Sequence, residues 1–319
     1  MSGVMAVYRK ELADHFSSTR FVILFALIAM VSLITATMAG MSLRETLEGL
    51  ARPRFVFLML FNTTGALFSL VQFVAFFGPL AGLVLGFDAV NRERTQGTLI
   101  KLVSQPIFRD AVINGKFLAG LTTIAVLLTS ILLVVSGLGL VILGIVPGLD
   151  EVGRLAFYLI LSMVYMAFWL GVAMLFSILF QSIPTSALAS GALWIFLSFF
   201  VTLGADVLAN TLAPVGRSRD VTRETLLRNA RIKERVGLCS PMELYSKASA
   251  TLIDPTRNTT RSLVMMGPLE RIAASRFQSP LPLGQSLLVV YPHITALIGL
   301  TLICFAASYT VFMVQEIRT

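Results

Sequence analysis

The chain has 319 residues, is 56% hydrophobic and only 13% charged, and carries a formal net charge of +8. Soluble domains hold about 25% charged residues, so this composition, with a mean hydropathy of +0.84, excludes an ordinary water-soluble protein and indicates an integral membrane protein. The excess of positive charge fits cytoplasmic flanks beside anionic headgroups better than a nucleic-acid partner.

In chain order, "MSGVMAVYRKELADHF" lacks the features of a cleaved signal peptide, because bases and acids precede the first apolar run. A membrane span needs roughly 20 apolar residues, and six segments qualify: about 21–41, 65–87, 117–146, 155–180, 185–209 and 286–314. The run "FVFLMLF" at 55–61 is too short to cross and reads as an interfacial helix or an extension of the second span. Six spans place both termini on one side. With the termini in the cytoplasm, the inner segments hold Arg9, Lys10, Arg20, Arg92, Arg94, Lys101, Arg109, Lys116 and Arg318. The short outer loops then hold only Arg44, Arg52, Arg54 and Arg154, so the positive-inside rule favours cytoplasmic ends in the cell membrane.

The domain organisation that follows is 1–20 cytoplasmic, 21–209 spans one to five with a cytoplasmic loop at 88–116, 210–285 outside, and 286–319 the last span and a short tail. The outer segment is basic, but segments beyond about 60 residues cross largely regardless of charge. It is patterned as helix. Val221, Leu226 or Leu227, and Ile232 recur at roughly helical spacing, and "SPMELYSKASATL" opens with Ser240, Pro241 and Glu243, a capping box before an amphipathic run that stops at Asp254-Pro255. A small helical extracytoplasmic insertion is expected there.

Most catalytic chemistry lacks its residues. There is no G-x-x-x-x-G-K-[ST], since Gly115-Lys116-Phe117 lacks both the upstream Gly and the hydroxyl. His15 and His293 are the only histidines, and Cys239 and Cys304 read as free thiols, so no metal site is expected. Cys239, Met242, Met265 and Met266 are soft donors, but scattered ones. The apolar segments are nearly free of charge: Asp88 and Asp206 fall at span ends and His293 a couple of turns into the last span. Neither a nucleotide site nor a proton relay is visible, so the chain reads as a non-enzyme without its own energy source.

The most patterned stretch lies between spans two and three: "GFDAVNRERTQGTLIKLVSQPIFRDAVINGKF", residues 86–117. Leu99, Ile100, Leu102 and Val103 sit beside Arg92, Glu93, Arg94 and Lys101, while Gly97-Thr98 and Pro106 interrupt any helix. Two short amphipathic helices joined at an angle, or a solvated linker, both satisfy this pattern. The stretch resembles the first cytoplasmic loop of ABC-2 type permeases, the membrane subunits of ATP-binding-cassette exporters. The matching positions are Phe87, Asp88, Val90, Glu93, Arg94, Gly97, Thr98, Leu99, Leu102, Ser104, Pro106, Ile107, Arg109, Ile113, Gly115 and Lys116. The likeness is greatest to the branch with the nitrous-oxide-reductase maturation permeases. "YRKELADHFSSTRF" resembles that family's amphipathic elbow helix, and "SPMELYSKASATLIDP" a stretch found between spans five and six.

The resemblance implies an all-α membrane protein of six transmembrane helices with an elbow helix, a cytoplasmic coupling helix and a helical insertion between spans five and six. It implies a permease subunit of an exporter that binds no cofactor itself, ATP and magnesium being bound by separate ATPase subunits. A second permease chain, identical or homologous, would complete the dimer. The implied ATPase contact is Asp88, Asn91, Arg92, Glu93, Arg94, Thr95, Gln96, Gly97 and Thr98, with Lys116 at the membrane boundary and Arg109 either anchoring the next helix or facing phospholipid. A translocation path between facing protomers has Phe68, Gln72, Phe76, Ser190, Trp194 and Ser198 as candidate lining. An apolar interior suits amphiphilic cargo. The alternative is a permease-like mechanical or signalling device that moves force to an outer partner at 210–285.

Overall fold

The computed structural model describes residues 3–47, 55–62, 69–97, 108–214, 223–255 and 280–314. Those residues form helices joined by short turns, in the order α1 (Gly3–Ser17), α2 (Thr19–Leu47), α3 (Val56–Asn62), α4 (Leu70–Gly86), α5 (Asn91–Thr95), α6 (Arg109–Leu143) and α7 (Leu149–Leu179). There follow α8 (Ile183–Ile195), a π-helical turn (Phe196–Phe200) that continues into α9 (Val201–Leu212), then α10 (Arg223–Gly237), α11 (Pro241–Ile253) and α12 (Leu283–Val314). Six stretches are long and apolar enough to cross a membrane: α2, α4 with its continuation to Thr95, α6, α7, α8–α9 and α12.

Bounds set by hydropathy differ from helix bounds at several ends. The third span was expected from residue 117, yet α6 begins at Arg109, so residues 109–116 are its first two turns and not part of a loop. A hydropathy window stops at charges, whereas a helix continues through a charge that is paired. The same holds for Arg154, counted above as an outer-loop residue: it lies inside α7 with its side chain 0% exposed. The run at 55–61 is not an extension of the second span. It forms the separate short helix α3, with Val56, Phe57, Leu58, Leu60 and Phe61 all buried.

In lipid, apolar side chains gain little from leaving the solvent, so helices associate through close packing and hydrogen bonds. Helix α7 is the hub of the bundle, with Tyr165, Trp169 and Ala173 fully buried. Gly82 and Gly86, one turn apart on α4, let the two backbones meet. A Cβ on Gly82 would stand 2.7 Å from the Met166 carbonyl, and one on Gly86 2.7 Å from Ala173 Cβ.

The insertion between the fifth and sixth spans shares this core. Its helix α11 starts at the Ser240 cap that the sequence indicated, Ser240 Oγ accepting from Glu243 N at 3.3 Å. The reciprocal half of the capping box does not form: Ser240 N donates to the Gly237 carbonyl, and Glu243 pairs with Lys247. Tyr245, fully buried, stacks on Tyr165 with ring centroids 4.4 Å apart and 10° between planes. Its hydroxyl lies 2.8 Å from Ser162 Oγ. Tyr165 is sixteen residues past Leu149, roughly 24 Å along α7, while Leu252, near the other end of α11, accepts from Arg154 Nη1 at 3.1 Å. Thus α11 runs antiparallel to the first half of α7, starting at mid-helix depth and climbing back. Helix α10 descends to meet it along α9, held by Lys233–Asp206 at 2.7 Å and by Asn229, which donates to Asn210 Oδ1 and to the Ala213 carbonyl. Within the described residues of the insertion, α10 and α11 form a hairpin that packs back into the bundle.

Candidate functional site

The patterned segment begins where α4 ends. After the turn at 87–90, the first amides of α5 are satisfied from another helix: Val90 N and Asn91 N donate to Ser177 Oγ at 3.0 and 3.1 Å. Asn91 Nδ2 donates to the Ser182 carbonyl and Arg94 Nη1 to the Ile178 carbonyl, each at 3.4 Å. These bonds seat α5 on the corner between α7 and α8. Its end is set by Gly97 at φ +66°, a left-handed conformation that side chains other than glycine's rarely adopt.

The seat divides the expected contact residues in two. Asn91 (0% exposed) and Glu93 (5%) are turned into the protein. Arg92, Thr95, Gln96 and Gly97 are exposed, and Arg94 lies between. Thr98 and the second short helix expected at 98–107 fall outside the described residues, as does Phe68. Asp88 does not join the outer face of α5. It pairs with Arg20 at the start of α2, Nη1 to Oδ2 2.8 Å, and that guanidinium lies over the Phe87 ring.

Glu93 joins a closed square of charge that the sequence reading missed. Lys116 Nζ on α6 lies 2.8 Å from Glu11 Oε1 and 3.0 Å from Glu93 Oε1; Lys10 Nζ lies 3.1 Å from each of the same two oxygens. Two cations and two anions therefore alternate around a ring drawn from α1, α5 and α6. Lys116 and Glu93 are 4% and 7% exposed at the side chain, whereas Lys10 is 49% exposed and forms the open corner. Burial raises the Glu11 carboxyl, but attraction and hydrogen bonding from Lys116, then Lys10, outweigh it and hold the group below its ordinary value. For Lys10, half-burial works against the ammonium and the two glutamates outweigh it, raising its pKa. The neighbouring Gly115 explains the Gly-Lys pair at the end of the motif. A Cβ there would stand 2.8 Å from Val7 Cβ, so glycine lets α1 approach closely enough for Glu11 to reach Lys116. The available signal was Val7 and Glu11 at i, i+4 on one face of α1, both buried.

The candidate path residues gather at the α4–α8 contact. Phe76 meets Trp194 edge-on at 5.4 Å and Phe199 at 5.7 Å. Ser190, Trp194 and Ser198 are buried within the chain, Ser190 donating to the Ser186 carbonyl at 2.7 Å. Gln72 is exposed and closes the capping box of α4, accepting from Ser69 N while Ser69 Oγ accepts from Gln72 N. A lining role for Ser190, Trp194 and Ser198 therefore requires a route inside the protomer or a change of packing. Among the described residues no cluster of His, Cys, Asp or Glu could hold a metal ion.

A comparison with family models matches residues 5–317 to the ABC-2 family transporter protein model, so one family pattern runs through elbow, loop, spans and insertion. No curated protein matches the chain. Permeases of this family have no catalytic activity of their own. A helical bundle with six candidate spans, a short helix seated between the second and third, and a match over nearly its whole length place this chain in the ABC-2 family of transporter membrane proteins.

Proposed function

We propose that this chain is the permease subunit of an exporter of the nitrous-oxide-reductase-maturation-permease-like branch, with both termini in the cytoplasm. Separately encoded subunits hydrolyse ATP, and α5 is the element on which they push. The observation that carries this reading is the two-sidedness of α5. One face is pinned to α1, α6 and the α7–α8 corner by charge and hydrogen bonds, and the other presents Arg92, Thr95 and Gln96 to the surroundings. A short helix tied in this way moves as a rigid body and can pass a displacement of its outer face into the spans. Glu93 and Asn91 act as ties in this arrangement, and Arg92, Thr95, Gln96 and Gly97 as the contact. A second permease chain completes the pathway.

The experiment separates contact from tie. Arg92→Glu and Gln96→Glu should lower co-purification of the ATPase subunit, whereas Lys116→Met should leave docking intact and lower ATP-driven transport in reconstituted vesicles. Full docking and transport in both outer-face variants would refute the assignment of α5. A second reading, force passed to an outer partner without a solute, draws on one feature: Arg228, Arg231 and Arg235 form an exposed basic row along α10. Replacing the row with Gln separates the two, since export should persist if a solute moves and the partner's activity alone should fall if force is the output.

A further inference from the structure

Helix α10 stands at the end of the bundle remote from α5. Asn229 donates to Asn210 Oδ1 and to the Ala213 carbonyl, and Lys233 pairs with Asp206, so α10 runs antiparallel to the last turns of α9. The stretch Ile183–Leu212 has 30 residues and starts beside the α5 seat at Ser182. Crossing the hydrocarbon needs only about 20, so its last turns, and α10 on them, stand at or beyond the far bilayer surface. Away from α9, α10 presents Arg228, Arg231 and Arg235, all exposed. At about 100° and 1.5 Å per residue, the three fall within an arc of about 60° and a length of about 10 Å. Glu224 stands one turn before them on the same stripe. Among the described residues none of the three arginines is in an ion pair, whereas Lys233 on the opposite side of α10 is matched by Asp206.

We propose that this stripe docks an acidic helix of a second protein, with carboxylates recurring every three to four residues along one face. Each guanidinium presents paired donors that match a carboxylate. Other occupants fit less well. The chain's own segments beside the insertion helices, 215–222 and 256–279, hold six arginines against Asp220 and Glu270, so they repel the stripe. A second copy of the chain meeting it face to face presents the same arginines. Headgroup phosphates of one leaflet occupy a layer about 5–7 Å deep. The stripe runs about 10 Å in the direction of the span and overshoots that layer, whereas a helix lying beside α10 matches its full length. The inference concerns docking alone and is independent of whether the chain exports a solute.

The test uses the full-length chain in nanodiscs of phosphatidylcholine, without nucleotide, and a fluorescein-labelled alanine-based helical peptide with three glutamates on one face. Fluorescence anisotropy in about 20 mM salt, where screening is weak, reads its binding. Three exposed pairs at about threefold each predict an affinity about thirtyfold above that of the peptide with glutamines in their place. Arg228→Gln, Arg231→Gln and Arg235→Gln together should remove that advantage without lowering the melting temperature, because all three side chains are exposed. Scattering the glutamates around the peptide, at equal net charge, leaves one pair and should weaken binding about tenfold. Equal binding of the Glu and Gln peptides, equal binding of the scattered peptide, or an advantage that survives the triple variant would overturn the proposal. So would phosphatidylglycerol retention that falls with the triple variant in native mass spectrometry, which would assign the stripe to lipid phosphates. No ATP or ATPase subunit enters the measurement, so its failure leaves the exporter reading standing.

Discussion

Lys116 Nζ lies 2.8 Å from Glu11 Oε1, across 105 residues of sequence, and this contact joins α1 to α6. The same ammonium reaches Glu93, so one lysine holds α1, α5 and α6 together. Burying Lys116, Glu11 and Glu93 is costly, and the mutual attraction within the ring offsets the cost only while the ring stays closed.

Lys116→Met should therefore destabilise the protein by about 3 kcal/mol, near the low end for breaking a buried pair because Lys10 still reaches both carboxylates. Adding Glu11→Gln and Glu93→Gln to that variant should restore most of the loss, since no buried charge is then left without a partner. Thermal unfolding in detergent checks both, and a triple variant less stable than the single one would contradict the account.

Acidification should act first through His15. Burial is the main cause that lowers its pKa from 6.5; Lys116 acts in the same direction, and Glu11, Asp88 and Asp14 oppose it. A depressed histidine binds its proton more readily when unfolded, so its contribution is complete above about pH 6.5 and is lost as pH falls below that value. The depressed Glu11 carboxyl contributes above its ordinary 4.5 and is lost only as pH falls below it. Between pH 7.5 and 5 the melting temperature of His15→Gln should thus fall less than that of the natural protein.

At the α4–α7 contact, glycine is required by space. Gly82→Val would drive side-chain atoms into the Met166 carbonyl and the Leu170 amide, which are backbone and cannot turn aside. A loss at the upper end of overpacking costs, about 3 kcal/mol or more, should appear as poor recovery of folded protein from the membrane. Gly137, which would meet nothing within 4 Å, supplies the control: Gly137→Ala should be neutral or slightly stabilising.

Arg154 fastens the insertion to the spans. It donates to the carbonyls of Leu252 and Leu281 and to Ser286 Oγ, and it pairs with Asp150 at 3.1 Å. Arg154→Met should cost about 3–5 kcal/mol, and protease cleavage within 223–255 should rise before the spans unfold. Tyr245→Phe, which removes only the hydroxyl facing Ser162, should cost about 1 kcal/mol; Tyr245→Ala, which also removes the ring stacked on Tyr165, about 3–5.

The sequence by itself determined the membrane class, the number of spans, the capped start of α11 and the family, because apolar run length, cap chemistry and a spaced loop motif are all local in the chain. It also located α5 and its glycine stop. Only the tertiary structure decided which charges of that motif face outward and which are ties, since the period of one short helix does not say what packs against it. Lys10 and Glu11 read as surface charges until α1 is laid on Gly115. Arg154 was counted in an outer loop because hydropathy assigns charge to water, and hydropathy does not register that a charge is paired. The polar face of the insertion was legible in the sequence, but the tyrosine that anchors α11, Tyr245, meets its partner Tyr165 eighty residues away.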